Sequence, residues 1–200
     1  MKYLYPVIFT LYLLSGCQKD KIQEPAPPPP PDTTAVYVPI YQPGDTSLGA
    51  GYAKKLTAQW NAETICIVQS FFDTNYIAIG FITYSSNGAQ RESFGFSFIP
   101  RFEDDKTYGL KKMTGSTLVS GFVSPTYTTW TSDGDVIDDS YDLDTTATDN
   151  FLKMQMIDNE NKRVEGTFTA TFNIREPRIN PANPKVVKFS EGKFWAVIQE

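Results

Sequence analysis

Residues 167–174 read Thr-Phe-Thr-Ala-Thr-Phe-Asn-Ile, and this stretch decides the fold class. Apolar and polar side chains alternate along it, which is the period of a β-strand with one face in a core and the other in water. Residues 93–98, Ser-Phe-Gly-Phe-Ser-Phe, show the same pattern. No long segment of the chain has the period of a helix, so the sequence predicts an all-β protein.

The same alternation extends outward from these two segments and is interrupted by turn sequences. Ser86-Asn87-Gly88 and Asp133-Gly134 are examples of turn chemistry at the spacing of a sandwich or barrel. We predict one antiparallel domain over residues 44–200, a β-sandwich or half-open barrel of about eight to ten strands. Further strands are expected over residues 50–60, 64–71, 76–84, 117–123, 151–157, 186–189 and 193–198.

The composition excludes several kinds of enzyme. The 200 residues include no histidine, so Ser-His-Asp triads, Cys-His pairs and His-ligated zinc are excluded. The net charge of −5 arises from seven aspartates in residues 132–150, a stretch without Lys or Arg, and would be +2 without them. The acidity is therefore a local feature. Nothing in the sequence indicates a basic surface of the kind that binds nucleic acids, so no nucleic-acid partner is expected.

The N-terminus has the features of a lipoprotein signal peptide, predicted over residues 1–16. Lys2 precedes twelve mostly apolar residues, 3–14, which are too few to span about 30 Å of hydrocarbon as a helix. Leu14-Ser15-Gly16-Cys17 resembles the bacterial lipobox, which implies that the Cys17 sulfur carries a lipid. Acyl chains contribute about 0.8 kcal/mol per buried methylene, so the membrane is the expected partner of the N-terminus.

Residues 17–43 are predicted to be an extended spacer behind that lipid. Six prolines in residues 25–31 favour polyproline II, which at about 3.1 Å per residue spans roughly 20 Å. Gln18-Lys19-Asp20-Lys21 resembles the short signal that directs Bacteroidota lipoproteins to the cell surface. We therefore expect a lipid-anchored protein of the outer membrane, with the cell surface favoured over the periplasmic face.

Two motifs near the C-terminus carry a family resemblance. They are residues 164–172, Val-Glu-Gly-Thr-Phe-Thr-Ala-Thr-Phe, and residues 189–194, Phe-Ser-Glu-Gly-Lys-Phe. Together they resemble a family of Bacteroidota lipoprotein domains of unknown function, in which a Gly-Thr-Phe strand is followed by a closing Glu-Gly-Lys-Phe hairpin. The resemblance implies a β-sandwich or half-open barrel and supplies no catalytic residues.

The aspartate-rich stretch is the strongest local concentration of polar chemistry. Calcium takes six to eight hard oxygen ligands, and Asp138, Asp139 and Asp142 are the candidate ligands here. The spacing does not match an EF-hand, and the favoured alternative is a solvated acidic loop and edge strand. The remaining acids of the stretch are Asp133, Asp135, Asp144 and Asp149.

Aromatic residues next to the aspartates are candidates for ligand binding. Tyr127 and Trp130 could place a ring at the surface for sugar stacking, with Trp60 and Trp195 as alternatives. Trp195 lies on the face of its strand opposite Phe194, so one of the two must point outward. The sequence does not decide which.

Three functions remain open. We expect a non-catalytic surface module that binds a carbohydrate or protein, with no cofactor other than calcium. A structural envelope lipoprotein without a small ligand is the alternative. A glycoside hydrolase, which needs only two carboxylates, is the third possible function. No acid in the sequence stands out for that role, so no enzyme is expected.

Cys66 lies in an apolar run and is predicted to be a buried, inert thiol.

Overall fold

The computed structural model describes residues 41–70, 75–113 and 122–200. These described residues belong to one compact unit. The predicted signal peptide, Cys17 and nearly all of the Pro-rich spacer lie outside the described residues. Among the residues described, none belongs to a helix that is long and apolar enough to cross a membrane.

The all-β prediction is confirmed, because the described residues form strands and turns and no helix. The strands are β1 (Gln42–Pro43), β2 (Gly49–Lys55), β3 (Ala58–Val68), β4 (Tyr76–Tyr84), β5 (Gln90–Pro100), β6 (Lys106–Gly109), β7 (Ser124–Trp130), β8 (Ile137–Leu143), β9 (Phe151–Asp158), β10 (Arg163–Ile174) and β11 (Val186–Gln199).

All of these strands belong to one sheet, and its pairings return to their starting point. The order is β11-β2-β3-β4-β5-β7-β8-β10-β9-β6, and β10 also pairs with β11. Eight strands from β11 through β2 to β10 therefore form a continuous cycle of hydrogen-bonded neighbours. β9 and β6 extend from β10 beyond this cycle, and β1 pairs with β4.

Three details of the sequence prediction need correction. Residues 50–60 are not one strand, because the chain turns at Leu56, whose φ is 56°, and enters β3 at Ala58. The sheet is not purely antiparallel, since Ile198 and Gln199 of β11 lie parallel to Cys66 and Ile67 of β3. The described residues form eleven strands rather than eight to ten, because β1 and β6 are too short to show a period. Most of the strand predicted over residues 117–123 lies outside the described residues.

One face of the sheet carries an aromatic core. Phe94 stacks on Phe189 with ring centroids 4.8 Å apart, and Trp60 meets Phe189 edge to face at 5.0 Å. Such ring pairs add about 0.5–1.5 kcal/mol each beyond the burial of their area. Phe168 and Phe172 of the stretch that predicted the fold are buried in the same core.

Cys66 lies in this core with no exposed surface, as predicted. Burial raises the pKa of its thiol to about 12, so the nucleophilic thiolate does not form at neutral pH. Gly192 shows how closely the core is packed, since a Cβ there would lie 2.7 Å from the Phe168 ring.

Candidate functional site

An ion pair lies within the aromatic core, where the sequence suggested only apolar packing. The period of β2 directs Lys55 inward, and the period of β5 directs Glu92 inward, leaving them 2% and 0% exposed. The Lys55 ammonium donates a hydrogen bond to the Glu92 carboxylate. Trp60 Nε1 and the Tyr127 hydroxyl also donate to it, each at 2.8 Å, and Thr83 Oγ1 donates at 3.1 Å.

These partners keep Glu92 ionised. Burial alone would raise the pKa of Glu92, but the charge of Lys55 and the hydrogen bonds from Lys55, Tyr127 and Trp60 outweigh that effect and lower it. A general acid or base must reach a substrate, and this carboxylate has no exposed surface. The cluster therefore joins β2, β3, β4, β5 and β7 rather than forming a reactive centre.

A bulge determines where the first two candidate calcium ligands point. The pairing of β7 with β8 shifts between Thr129, opposite Asp139, and Trp130, opposite Ile137. Asp138 is the extra residue, and such a residue interrupts the strict alternation of faces. Consequently Asp138 and Asp139 are both buried, at 9% and 2% exposed, although they are neighbours in the chain.

Amide donors from the loop before β11 surround these two carboxylates. The backbone nitrogen of Ile179 donates to Asp139 Oδ1 at 2.7 Å. Asn183 Nδ2 donates to Asp139 Oδ2 at 2.7 Å, and Asn180 Nδ2 donates to Asp138 Oδ2 at 2.7 Å. The carboxylates thus hold residues 175–185 against the end of the sheet at β7 and β8.

The third candidate ligand has separate partners. Asp142 accepts hydrogen bonds from Arg175 and Lys112, each at 2.8 Å. Both bonds lower the pKa of Asp142, and the bond from Arg175 has the larger effect. Asp149 pairs with Lys188 at 2.6 Å. The other acids of the stretch, Asp133, Asp135 and Asp144, lie outside the strands.

The predicted acidic loop is thus partly a buried strand, and its carboxylates are divided among different donors. Within residues 41–70, 75–113 and 122–200, no three Asp, Glu or Cys side chains form a group that could hold a metal ion. Calcium binding by Asp138, Asp139 and Asp142 has no support from this geometry.

The aromatic candidates differ in exposure. Tyr127 is 1% exposed, so the prediction that it binds a ligand at the surface is wrong; its ring faces the core because its hydroxyl completes the Glu92 cluster. Trp60 is likewise buried, at 3%. Trp130 is half-buried, and its Nε1 is enclosed without a hydrogen-bond partner among the described residues, so the polar edge of its ring is not available to a ligand.

Trp195 lines a groove on the outer face of the sheet. Phe194 and Ala196 point into the core, at 5% and 0% exposed, which leaves Trp195 facing outward. The groove has a volume of about 380 Å³, within the usual range for small-ligand sites. Its lining comes from β2, β9, β10 and β11: Tyr52, Gln155, Glu165, Gly166, Thr167, Lys193, Phe194 and Trp195.

A bulge in β9 lies at this groove and brings Gln155 into its lining. The pairing of β9 with β10 shifts between Glu165 and Gly166, which leaves Gln155 as an extra residue in β9. Gly166 lies opposite Phe194 and faces the core with it, where a Cβ would lie 2.6 Å from the Phe194 ring.

The neighbours of Trp195 fix its ring. Arg163 places its guanidinium 4.9 Å from the ring centroid and pairs with Glu165 at 2.8 Å. Ala50 lies opposite Trp195 and is 3% exposed, although it shares the outward face of β2 with Tyr52. Trp195 Nε1 has no hydrogen-bond partner in the described part of the chain, so the ring offers a donor as well as an apolar surface.

A second, smaller groove of about 240 Å³ lies near the start of β4 and the end of β5. Its charged side chains are already paired with protein groups. Arg101 pairs with Glu200 at 3.0 Å, and Lys106 pairs with Glu103. It offers a ligand fewer free polar groups than the groove at Trp195.

Comparison with protein-family models, curated proteins and solved structures found no match to this chain. The family resemblance of residues 164–172 and 189–194 therefore stays a prediction. These two motifs nevertheless supply Glu165, Gly166, Thr167, Lys193 and Phe194 to the groove.

Sequence reasoning missed the Glu92 cluster and the groove. Glu92 had a signal that could have been used, because it shares the strand face of Phe94 and Phe96. For the groove, the signal in the sequence was partial and consisted of the alternation of Phe194 and Trp195. The residue that β9 contributes to the groove lies at a bulge, which no residue pattern in the sequence predicts.

Proposed function

We propose that this chain is a lipid-anchored lipoprotein of the outer membrane whose β domain is a non-catalytic binding module exposed at the cell surface. The lipobox-like residues 14–17 and the Pro-rich spacer support the anchor and the outward presentation. The groove at Trp195 supports the binding role and is the observation that carries the proposal.

The architecture we propose is the barrel alternative of the sequence prediction. Sandwiches keep two sheets with separate edges, whereas the eight-strand cycle here connects β11 to both β2 and β10. In this arrangement the aromatic core fills the interior, and a ligand is left with the outer surface. The groove lies on that surface.

The ligand class that best suits the groove is an oligosaccharide. Aromatic rings cover the apolar face of a sugar, while amide, hydroxyl and ammonium groups bond its hydroxyls. Tyr52 and Trp195 supply the rings, and Tyr52 is 49% exposed. Gln155, Thr167 and Lys193 supply the polar groups.

Thermal unfolding of the full chain in detergent, alone and with a panel of oligosaccharides, tests this proposal. A ligand at a hundred times its dissociation constant adds about 2.7 kcal/mol, which raises the midpoint by roughly 5 to 10 °C for a domain of this size. Tyr52→Ala should abolish the shift without unfolding the protein, because the ring is half exposed.

Phe102→Ala is the matched control, since Phe102 is a 66% exposed aromatic outside the groove. It should leave the shift unchanged. A cooperatively unfolding protein that responds to no sugar would contradict the glycan proposal and favour a structural role or a protein partner.

A further inference from the structure

Lys193 is a cation of the groove without a counter-ion. It lies on β11 and faces outward, and it forms no ion pair with any residue that the structure describes. The basic side chains near it are all paired. Arg163 binds Glu165 at 2.8 Å, Lys54 binds Glu191 at 2.7 Å, and Lys153 binds Asp105 at 2.9 Å.

The register places this ammonium among the groups that would hold a sugar. Lys193 lies opposite Tyr52 on one side and opposite Thr167 on the other. Neighbouring strands are about 4.8 Å apart, so the three side chains form a short row across the sheet. Trp195 lies two residues further along the same face of β11, roughly 6.8 Å away along the strand.

The charge of the groove is positive although the chain carries −5. Glu165 is the acid that lines the groove, and Arg163 already neutralises it. One ammonium charge therefore remains in the groove. A ligand with a negative group would complement this charge, whereas a neutral ligand would leave the ammonium paired only with water.

We infer that the groove binds an acidic oligosaccharide, with a pyranose ring against Tyr52 and Trp195 and an anionic substituent at Lys193. The inference rests on the proposed binding function and specifies its ligand. A uronate carboxylate and a sulfate ester share the required chemistry, since each offers anionic oxygens to an ammonium group. No covalent step is involved.

Isothermal titration of the full chain in detergent tests this inference with three hexasaccharides of similar size. One contains galacturonic acid, the second is a sulfated galactan, and the third is a neutral galactan. We expect at least one acidic hexasaccharide to bind about tenfold or more tightly than the neutral one, in line with the strength of charge-assisted hydrogen bonds. The tighter of the two acids identifies the substituent.

Variants separate the charge from the ring contact. Lys193→Gln should remove the preference for the acidic sugar and most of the salt dependence of its binding. Lys185→Gln is the matched control, because Lys185 is an exposed lysine without an ion pair in the described chain and lies outside the groove. This control variant should change neither the preference for the acidic sugar nor the salt dependence of its binding. Tyr52→Ala should weaken the binding of every sugar that enters the groove.

The outcomes distinguish this inference from the proposed function. Equal binding of acidic and neutral sugars that is lost in Tyr52→Ala overturns the acidic class and leaves the binding module intact. Unchanged acidic binding in Lys193→Gln likewise overturns the assigned role of Lys193. Absence of binding by all three sugars overturns both the acidic ligand and the glycan-binding function.

Discussion

Glu92 is the residue at which we expect a single substitution to be most damaging. Glu92→Gln removes the negative charge from the buried ion pair and takes away the carboxylate that faces the buried Lys55 ammonium. Breaking a buried ion pair from one side typically costs about 3–5 kcal/mol. Urea unfolding of the variant should show a loss of this size in the free energy of unfolding.

The exposed pair of Lys54 and Glu191 provides a matched control, since its side chains are 51% and 66% exposed. Glu191→Gln should cost less than about 1 kcal/mol. The double variant Lys55→Met with Glu92→Gln should recover part of the loss, because no unpaired charge remains. Equal costs for the two single Glu→Gln variants would show that the buried charge is not held as described.

Acid should destabilise the fold through the same carboxylate. The pKa of Glu92 is lower in the folded chain than its ordinary value, which is about 4.3. Its stabilising contribution is therefore complete above that value and is lost as pH falls through the lower folded pKa. The pKa of Asp142 is lowered by Arg175 and then Lys112, so Asp142 contributes in the same direction.

The urea midpoint measured between pH 7 and pH 3 provides the readout of this effect. It should fall below about pH 4.3 and fall less steeply in the Lys55→Met, Glu92→Gln double variant. Parallel curves for the two proteins would mean that Glu92 titrates alike in the folded and unfolded chains.

Residues 175–185 connect β10 to β11 and are joined to β7 and β8 by buried hydrogen bonds. Asn183 donates to Asp139 at 2.7 Å and also lies 3.0 Å from Thr129 Oγ1. Asn183→Ala leaves these buried acceptors with fewer donors, at a cost of about 1–3 kcal/mol. Hydrogen exchange of the backbone amides of Ile179 and Asn180, which donate to Asp139, should accelerate.

Asn161→Ala controls for the loss of an asparagine side chain, because Asn161 donates to Asp158 in an exposed turn. It should leave the exchange of Ile179 and Asn180 unchanged. Unaltered exchange in Asn183→Ala would mean that the loop is held by other contacts, such as those of Arg178 with the loop carbonyls.

The period of the side chains predicted most strands but not which face of each strand is inside. Residues 167–174 and 93–98 fall within β10 and β5. The face of Tyr127 was assigned wrongly, because alternation fixes only the relation between neighbours and Tyr127 turns inward to bond Glu92. Asp138 and Asp139 depart from alternation altogether, since a bulge places both inside.

The candidate site was predictable only in part, because it assembles from four strands that are distant in the chain. Trp195 was among the aromatic candidates, and its face follows once Phe194 is known to be buried. Gln155 reaches the groove as the extra residue of a bulge in β9, which the residue pattern does not indicate. The pairing of β2 with β11, which brings Tyr52 to Lys193, joins residues from opposite ends of the domain.

For the whole molecule, the proposed lipid anchor and spacer predict exposure on the cell surface. Protease added to intact cells should degrade the protein, while a periplasmic marker stays intact. Cys17→Ala removes the sulfur that would carry the lipid and should release the protein from the membrane fraction. Degradation that requires lysis of the cells would contradict display at the surface.

The central claim of this account is that a ligand binds at Trp195 on the outer face of the sheet. The most direct measurement is an NMR titration of the full chain in detergent with the three hexasaccharides, following the indole N–H signals of Trp60, Trp130 and Trp195. The Trp195 signal, assigned with Trp195→Phe, should move with the acidic sugar, while that of Trp60, bonded to Glu92 in the core, stays in place. A titration in which the Trp195 signal does not move with any of the three sugars would contradict the account.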